Sequence, residues 1–183
     1  MIKIQQDKIL QTHRLILDKK RFYKHFEAPI YIGIPSLVAL FFIVKLFLDK
    51  SIHFVPSMFL LFLLPMMSVA TFLNQYFALN MRQIDTSFNK LENHDLILQT
   101  LTTLEWIIKI NDNGFIEAFN PFGDIRTWGR EMVSFVFDDK RILINSICNV
   151  DQIRSQAMFS FGKNKQNVKK FIKAFEINSI TAQ

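Results

Sequence analysis

Two long apolar runs near the start of the chain constrain its fold more than any other feature. Residues 30–48 read IYIGIPSLVALFFIVKLFL with a single charge at Lys45, and residues 54–73 read FVPSMFLLFLLPMMSVATFL with none. Each run is close to the roughly 20 apolar residues that a helix needs to cross a bilayer core. A soluble domain of this size has no room to bury two helices that are apolar all round. We therefore expect both runs to be transmembrane helices.

The connection between the runs and the placement of basic residues predict the topology. Only residues 49–53, DKSIH, separate the runs, so the two helices should be antiparallel neighbours. Residues 1–28 carry seven Lys and Arg side chains, whereas the connection carries Lys50 alone. Because cytoplasmic flanks are enriched in Lys and Arg, we expect both chain termini to be cytoplasmic. The sequence thus predicts a transmembrane helical hairpin over residues 29–79.

Both segments that flank the hairpin carry helical spacing. Residues 1–28 are basic and repeat an apolar side chain every seven residues, at Ile2, Ile9, Ile16 and Tyr23, which predicts an amphipathic helix. Residues 80–94 continue a spacing of four and three that runs through Phe77, Met81, Ile84, Phe88 and Leu91, which predicts a helical stalk. Three arrangements stay open: the two helices pair, each packs on the domain that follows, or the first lies on the membrane surface.

Residues 95–183 carry the pattern of a small cytoplasmic domain that begins and ends with a helix. Leucines spaced by three favour a first helix, with Asp95 as its N-cap. Asn164 is the candidate N-cap of a closing helix, whose apolar stripe consists of Val168, Phe171, Ile172 and Phe175.

Between these helices the sequence predicts β-hairpins. Residues 106–110 and 115–119 flank NDNG, whose Asn-Gly pair suits a tight turn. Residues 133–137 and 142–147 alternate around the charged turn DDKR. Residues 157–161, AMFSF, are a candidate fifth strand. Antiparallel strands with helices at one face or end are typical of the α+β class.

Four short motifs lie in about the last 90 residues: Trp128-Gly129, FVFDD at 135–139, ILINSIC at 142–148 and SFGKNKQN at 160–167. They resemble the WG, FDD, ILINS and SFGxNKxN pattern of uncharacterised small bacterial membrane-anchored domains. The order of strands and terminal helix is also similar to bacterial pleckstrin-homology-like modules, although those have more strands. The resemblance implies a bacterial protein and brings no assigned activity.

Three groups of residues are candidate interaction sites. Arg126, Trp128 and Arg130 place two cations around an indole in a loop, a combination enriched at interfaces; the alternative is a Trp folded over the core beside solvated arginines. Asn145 and Ser146 interrupt an apolar strand, which marks either a polar pocket or the water-exposed face of the sheet.

The third group makes the closing helix strongly basic: Lys163, Lys165, Lys169, Lys170 and Lys173. These lysines form either its solvated side or a surface for anionic lipid headgroups or a phosphorylated ligand. The net charge of +6 fits the same anionic surface. Nucleic acid is disfavoured as a partner, because no nucleic-acid fold signature accompanies the charge.

No constellation predicts catalysis, a cofactor or a metal. The four histidines lack the spacing of a helical metal site, and Cys148 has no second cysteine to pair with. Asp138 and Asp139 fall in a solvated turn, where a carboxyl group is poorly placed for acid or base work. Glycine spacing typical of phosphate-binding loops is absent from the sequence.

The sequence therefore predicts a non-enzymatic protein of the bacterial inner membrane. Its hairpin would tether a small cytoplasmic domain that binds a protein partner, a second copy of the chain or anionic lipid. Two alternatives come from other classes: a membrane-acting effector or immunity protein that oligomerises through the hairpin, and a lipid-acting enzyme whose site has no recognised motif.

Overall fold

The computed structural model describes residues 3–48, 56–121, 131–148 and 162–181. In chain order the elements are α1 (Lys3–Thr12), α2 (Lys19–Leu48), α3 (Pro56–Ala78), β1 (Arg82–Asp85), α4 (Lys90–Thr103), β2 (Ile107–Asp112), β3 (Phe115–Phe119), β4 (Glu131–Asp138), β5 (Arg141–Cys148) and α5 (Lys163–Thr181). The chain divides into a helical unit, Asp18–Phe77, and a sheet unit, Met1–Leu17 with Ala78–Gln183.

In the helical unit, α2 and α3 pack as antiparallel neighbours. The rings of Phe26 and Phe72 lie 5.2 Å apart. Nearby, the Ser68 hydroxyl donates to the Pro29 carbonyl oxygen at 3.3 Å. At the same end of the pair, His25 Nε2 lies 3.0 Å from the Gln75 carbonyl oxygen. Early residues of α2 therefore meet late residues of α3.

One helix of this unit, α2, bears on the predicted membrane spans. Among the described residues, one helix, Lys19–Lys45, is long and apolar enough to cross a membrane by length and composition, with a mean hydropathy of 1.9. The two-helix transmembrane hairpin is thus not shown, although the two helices are paired. The second span stays a prediction.

The sheet unit confirms the predicted α+β class. Its five strands form an antiparallel sheet in the order β1-β5-β4-β3-β2. Both predicted hairpins are present: β2 and β3 turn at Gly114, whose φ is +96°, and β4 and β5 turn at Asp139 and Lys140. Gly114 supplies the positive φ that the first turn requires, since residues with a side chain rarely adopt it.

Helices α4 and α5 cover one face of the sheet and close the main core. Its buried members are Leu96, Ile97, Leu101, Trp106, Ile116, Ala118, Val133, Phe135, Phe137, Ile142, Ile144, Phe171 and Phe175. Phe171 of α5 lies at the centre, with its ring 4.5 Å from that of Phe135. Strand alternation sends Val133, Phe135 and Phe137 into this core and the residues between them to the opposite face.

The structure corrects the helical stalk predicted over residues 80–94. That segment contains strand β1, which pairs with β5 from Arg82↔Ile144 to Asp85↔Arg141. A spacing of four and three does not by itself decide between helix and strand in a short segment, and pairing with the sheet edge prevails here. The predicted strand at residues 157–161 lies outside the described residues.

Two helix starts also differ from the sequence prediction. Helix α4 begins at Lys90, because Asn89 accepts from the backbone of Leu91 and Glu92 and forms a capping box with Glu92, whereas Asp95 was the predicted cap. Helix α5 already includes Asn164, so this residue is not its N-cap.

The N-terminal segment is not one continuous helix. Helix α1 ends at Thr12, and His13 has a φ of +52°, which turns the chain. The next residues pair with the segment before β1: Leu15 N donates to Leu79 O at 2.9 Å, and Met81 N donates to His13 O at 2.8 Å. The predicted helix over residues 1–28 is therefore two elements, and α1 packs with the sheet unit near β4.

Candidate functional site

The predicted polar pair Asn145–Ser146 does not form one site. Neighbouring residues of a strand point to opposite faces, so the two side chains lie on opposite sides of β5. Both are buried, with relative exposures of 4% and 5%, so the alternative of a water-exposed face is wrong for both. Each belongs to a different buried polar cluster.

Ser146 belongs to an amide network between the sheet and the start of α5. Its hydroxyl donates to Asn164 Oδ1 at 3.3 Å and lies 3.5 Å from Asn167 Nδ2. Asn120, just after β3, donates through Nδ2 to Asn167 Oδ1 at 3.3 Å. Hydrogen bonds of buried amides fix geometry, because any member left without a partner costs free energy. This network holds the first turns of α5 against β5 and the end of β3.

Asn145 belongs to a row of polar side chains on the opposite face. Glu117, Ser134 and Asn145 are directly paired across β3, β4 and β5, and their exposures are 1%, 1% and 4%. Lys109 Nζ lies 3.6 Å from Glu117 Oε1 at one end of the row. At the other end, Asn145 Nδ2 donates to Ala78 O at 2.9 Å and to Asn80 O at 2.6 Å.

Ser134, in the middle of this row, and Asn145, at its end, each have a side-chain oxygen without a partner in the described part of the chain, but only Asn145 also donates hydrogen bonds. Within the described residues, Ser134 Oγ and Asn145 Oδ1 are buried and have no hydrogen-bond partner. The amide nitrogen of Asn145 is fully used, since it holds the chain where α3 gives way to β1. Asn145 therefore links β5 to the segment between α3 and β1, whereas the hydroxyl of Ser134 makes no hydrogen bond with any described residue.

The acidic turn of the β4–β5 hairpin caps α4. Asp139 Oδ1 accepts from the backbone N–H of Lys90 at 2.9 Å. Asn93, which is fully buried, donates through Nδ2 to the Asp138 carbonyl oxygen at 2.9 Å. A carboxylate at a helix N-terminus satisfies a free N–H and interacts favourably with the helix dipole. Asp139 therefore has a structural role at the start of α4.

Cys148, at the end of β5, has a thiol whose acidity the fold lowers. Burial, followed by the negative charge of Glu131, raises the pKa of Cys148 to about 11. The thiolate is the nucleophilic form, and this pKa favours the protonated thiol at neutral pH. Within the described ranges, no cluster of three His, Cys, Asp or Glu side chains could hold a metal ion.

The predicted lysines share one helix but differ in exposure. Lys163 is half-buried, whereas Lys165, Lys169, Lys170 and Lys173 are exposed on α5. Arg126, Trp128 and Arg130 lie outside the described residues, so their candidate site stays a prediction. Of the two groups that the structure describes, Ser146 contacts α5 through Asn164 and Asn167.

Sequence reasoning missed the buried polar residues that organise both faces of the sheet. Glu117, Asn120, Ser134 and Asn167 were not singled out, although a polar residue flanked by apolar ones within a strand or helix was the available signal. Comparison of the chain with protein-family models, with curated proteins and with solved structures found no match.

Proposed function

We propose that the chain is an integral membrane protein whose α2–α3 pair crosses the bilayer and tethers the sheet unit, which serves as a binding module. The single observation that carries the proposal is the outward exposure of large apolar side chains on both helices. On α2 the exposures reach 66% at Tyr31, 69% at Leu37 and 66% at Phe41. On α3 they reach 68% at Met66 and 59% at Phe77.

These side chains occupy most of the circumference of α2. Between Ile30 and Lys45 its buried residues are Ser36, Ala39 and Ile43, which are spaced by three and four and form one narrow stripe. The remaining directions carry exposed Ile, Leu, Val and Phe side chains. Contiguous apolar surface of this extent is rare on soluble monomers and is normal where lipid is the solvent.

The sheet unit supports a binding role rather than catalysis. Most of its described buried polar side chains make amide, hydroxyl and capping contacts, and the raised pKa of Cys148 favours the protonated thiol at neutral pH. Reactions that use side-chain chemistry need a nucleophile beside a base, or paired acid and base groups. A tethered module that recognises a partner needs neither. A bacterial inner membrane, with both termini cytoplasmic, is the location that the sequence favours.

Replacing exposed apolar residues of α2 by arginine tests whether this surface contacts lipid or water. The variant Leu37→Arg/Phe41→Arg places two guanidinium groups on exposed positions of α2. In water this change is harmless, whereas in a bilayer centre each Arg costs about 2.5–3.5 kcal/mol on translocon insertion scales. The matched control is Leu91→Arg on α4, where the native side chain is 72% exposed in the sheet unit.

The measurement is the fraction of protein that stays in the membrane pellet after alkaline extraction. We expect the native chain and the Leu91→Arg control to stay in the pellet and the double variant to be degraded or extracted. Extraction of the native chain, or equal retention of all three proteins in the pellet, would refute the proposal. Protease accessibility of terminal tags in intact cells and inverted vesicles tests the orientation.

A further inference from the structure

The outward side of α5 combines positive charge with exposed apolar side chains. Lys165, Lys169 and Lys173 follow a spacing of four, and Ile177 and Ile180 continue the same side of the helix. We call these five residues the α5 outer stripe. At a rise of 1.5 Å per residue it extends over about 22 Å.

The packing of α5 fixes which side faces outward. Phe171 and Phe175 are buried in the core, with exposures of 0% and 3%. Asn164 and Asn167 hold the first turns through the amide network, and Asn178 Nδ2 donates to Thr100 Oγ1 at 3.2 Å near the other end. Contacts near both ends and in the middle of α5 therefore fix its rotation about the helix axis, and the outer stripe faces away from the core.

The two exposed isoleucines distinguish the stripe from a helix face that is simply solvated, which would carry polar side chains at these positions. Ile177 is 57% exposed and Ile180 is 75% exposed. Neither belongs to the buried core, which Phe171 and Phe175 complete. The three lysines are exposed and make no ion pair with any other described side chain. The stripe thus offers cations and apolar groups to the same outside surface, on which the exposed Glu176 is the one acidic side chain of α5.

This combination fits the headgroup layer of an anionic membrane. Lysines near such a surface are attracted by its negative potential, and apolar side chains of an interfacial helix enter the boundary between headgroups and acyl chains. A nucleic acid backbone would satisfy the lysines but would leave the isoleucines in water. We propose that the α5 outer stripe binds an anionic lipid surface, with the lysines at the headgroups and the isoleucines below them.

This inference rests on the proposed membrane anchorage and specifies what the tethered module recognises. The test uses the full chain in nanodiscs of phosphatidylcholine alone or with one third phosphatidylglycerol. Acetylation rates of individual lysines are measured by mass spectrometry. Lys8 and Lys140, exposed on α1 and at the β4–β5 turn, serve as internal references.

We expect Lys165, Lys169 and Lys173 to react at least fivefold more slowly in the anionic discs, with unchanged reference rates. At about 0.5 M salt the Debye length falls to roughly 4 Å, so most of this protection should disappear. The variant Ile177→Glu/Ile180→Glu should lose it as well, since both positions are exposed and the change leaves the core intact. A matched variant, Lys8→Glu, should retain it.

The outcomes separate this inference from the proposal beneath it. If the chain is not retained by discs of either composition after an alkaline wash, the membrane anchorage fails. If it is retained but the three lysines react equally in both lipids, only the stripe inference is overturned. The stripe inference is also overturned if the three lysines stay protected in the Ile177→Glu/Ile180→Glu variant. It is overturned too if acetylation of the three lysines slows only when nucleic acid is added to neutral discs.

Discussion

Two neighbouring residues of the buried polar row should differ in how much stability is lost when each is replaced by alanine. Ser134 and Asn145 are paired across β4 and β5, and both are almost completely buried. The Asn145 amide donates two hydrogen bonds, to Ala78 O and Asn80 O, whereas Ser134 Oγ has no partner among the described residues. Alanine at each position therefore removes side chains of similar burial but different hydrogen bonding.

The magnitudes follow from that difference. A hydrogen bond contributes about 1 kcal/mol net, and a buried acceptor left without its donor costs about 1–3 kcal/mol. Asn145→Ala removes two bonds but also removes the unpartnered Oδ1, so we expect a net loss of about 2 kcal/mol. Ser134→Ala removes a desolvated hydroxyl, so we expect a change between a loss of about 0.5 and a gain of about 1 kcal/mol. Asn145→Asp should be worse than Asn145→Ala, because it sets a carboxylate against two carbonyl oxygens.

Hydrogen exchange of the full-length protein in detergent measures these differences within the sheet unit. A loss of about 2 kcal/mol corresponds to roughly 30-fold faster exchange of the slowest amides in β4 and β5. Ser134→Ala should leave their rates within about threefold of the native protein. Acceleration by Ser134→Ala as large as that by Asn145→Ala would refute the reasoning, because the hydroxyl would then have a partner of its own.

Three further predictions concern the core, the α4 cap and the thiol. Phe171→Ala removes a fully buried ring that contacts Phe135 and should cost about 3–5 kcal/mol in denaturant unfolding, whereas Phe171→Leu should cost clearly less. Asn89→Ala removes the capping-box acceptor and should cost about 1 kcal/mol, with Asn89→Asp close to neutral. Cys148 should alkylate slowly at pH 8 and faster only as the pH nears its folded pKa of about 11, while the denatured chain reacts at the ordinary rate. Because the folded pKa lies above the ordinary 9.0, the contribution of this thiol to stability is present below pH 9 and is lost as the pH rises through about 11.

The failures of the sequence predictions have two different causes. The segment around Ile84 has a spacing compatible with a helix, but its backbone pairs with β5, a distant segment that no local pattern contains, and a strand results. Asn89, by contrast, caps α4 through a local capping box with Glu92, a sequence pattern that the prediction overlooked. The turn residue Asp139 adds a further hydrogen bond at the same helix end, from the backbone N–H of Lys90.

Local patterns do determine the elements whose signal is strong. The apolar runs define α2 and α3, and strict alternation around short polar turns defines the two hairpins, because each pattern is compatible with only one backbone geometry. Tertiary structure alone decided that β1 completes the sheet, that α1 packs with the sheet unit, and which partners Asn145 and Ser146 contact on their two faces. The physical reason is that backbone pairing and the burial of polar groups depend on contacts between distant segments, whereas helix and hairpin formation depend on neighbours in sequence.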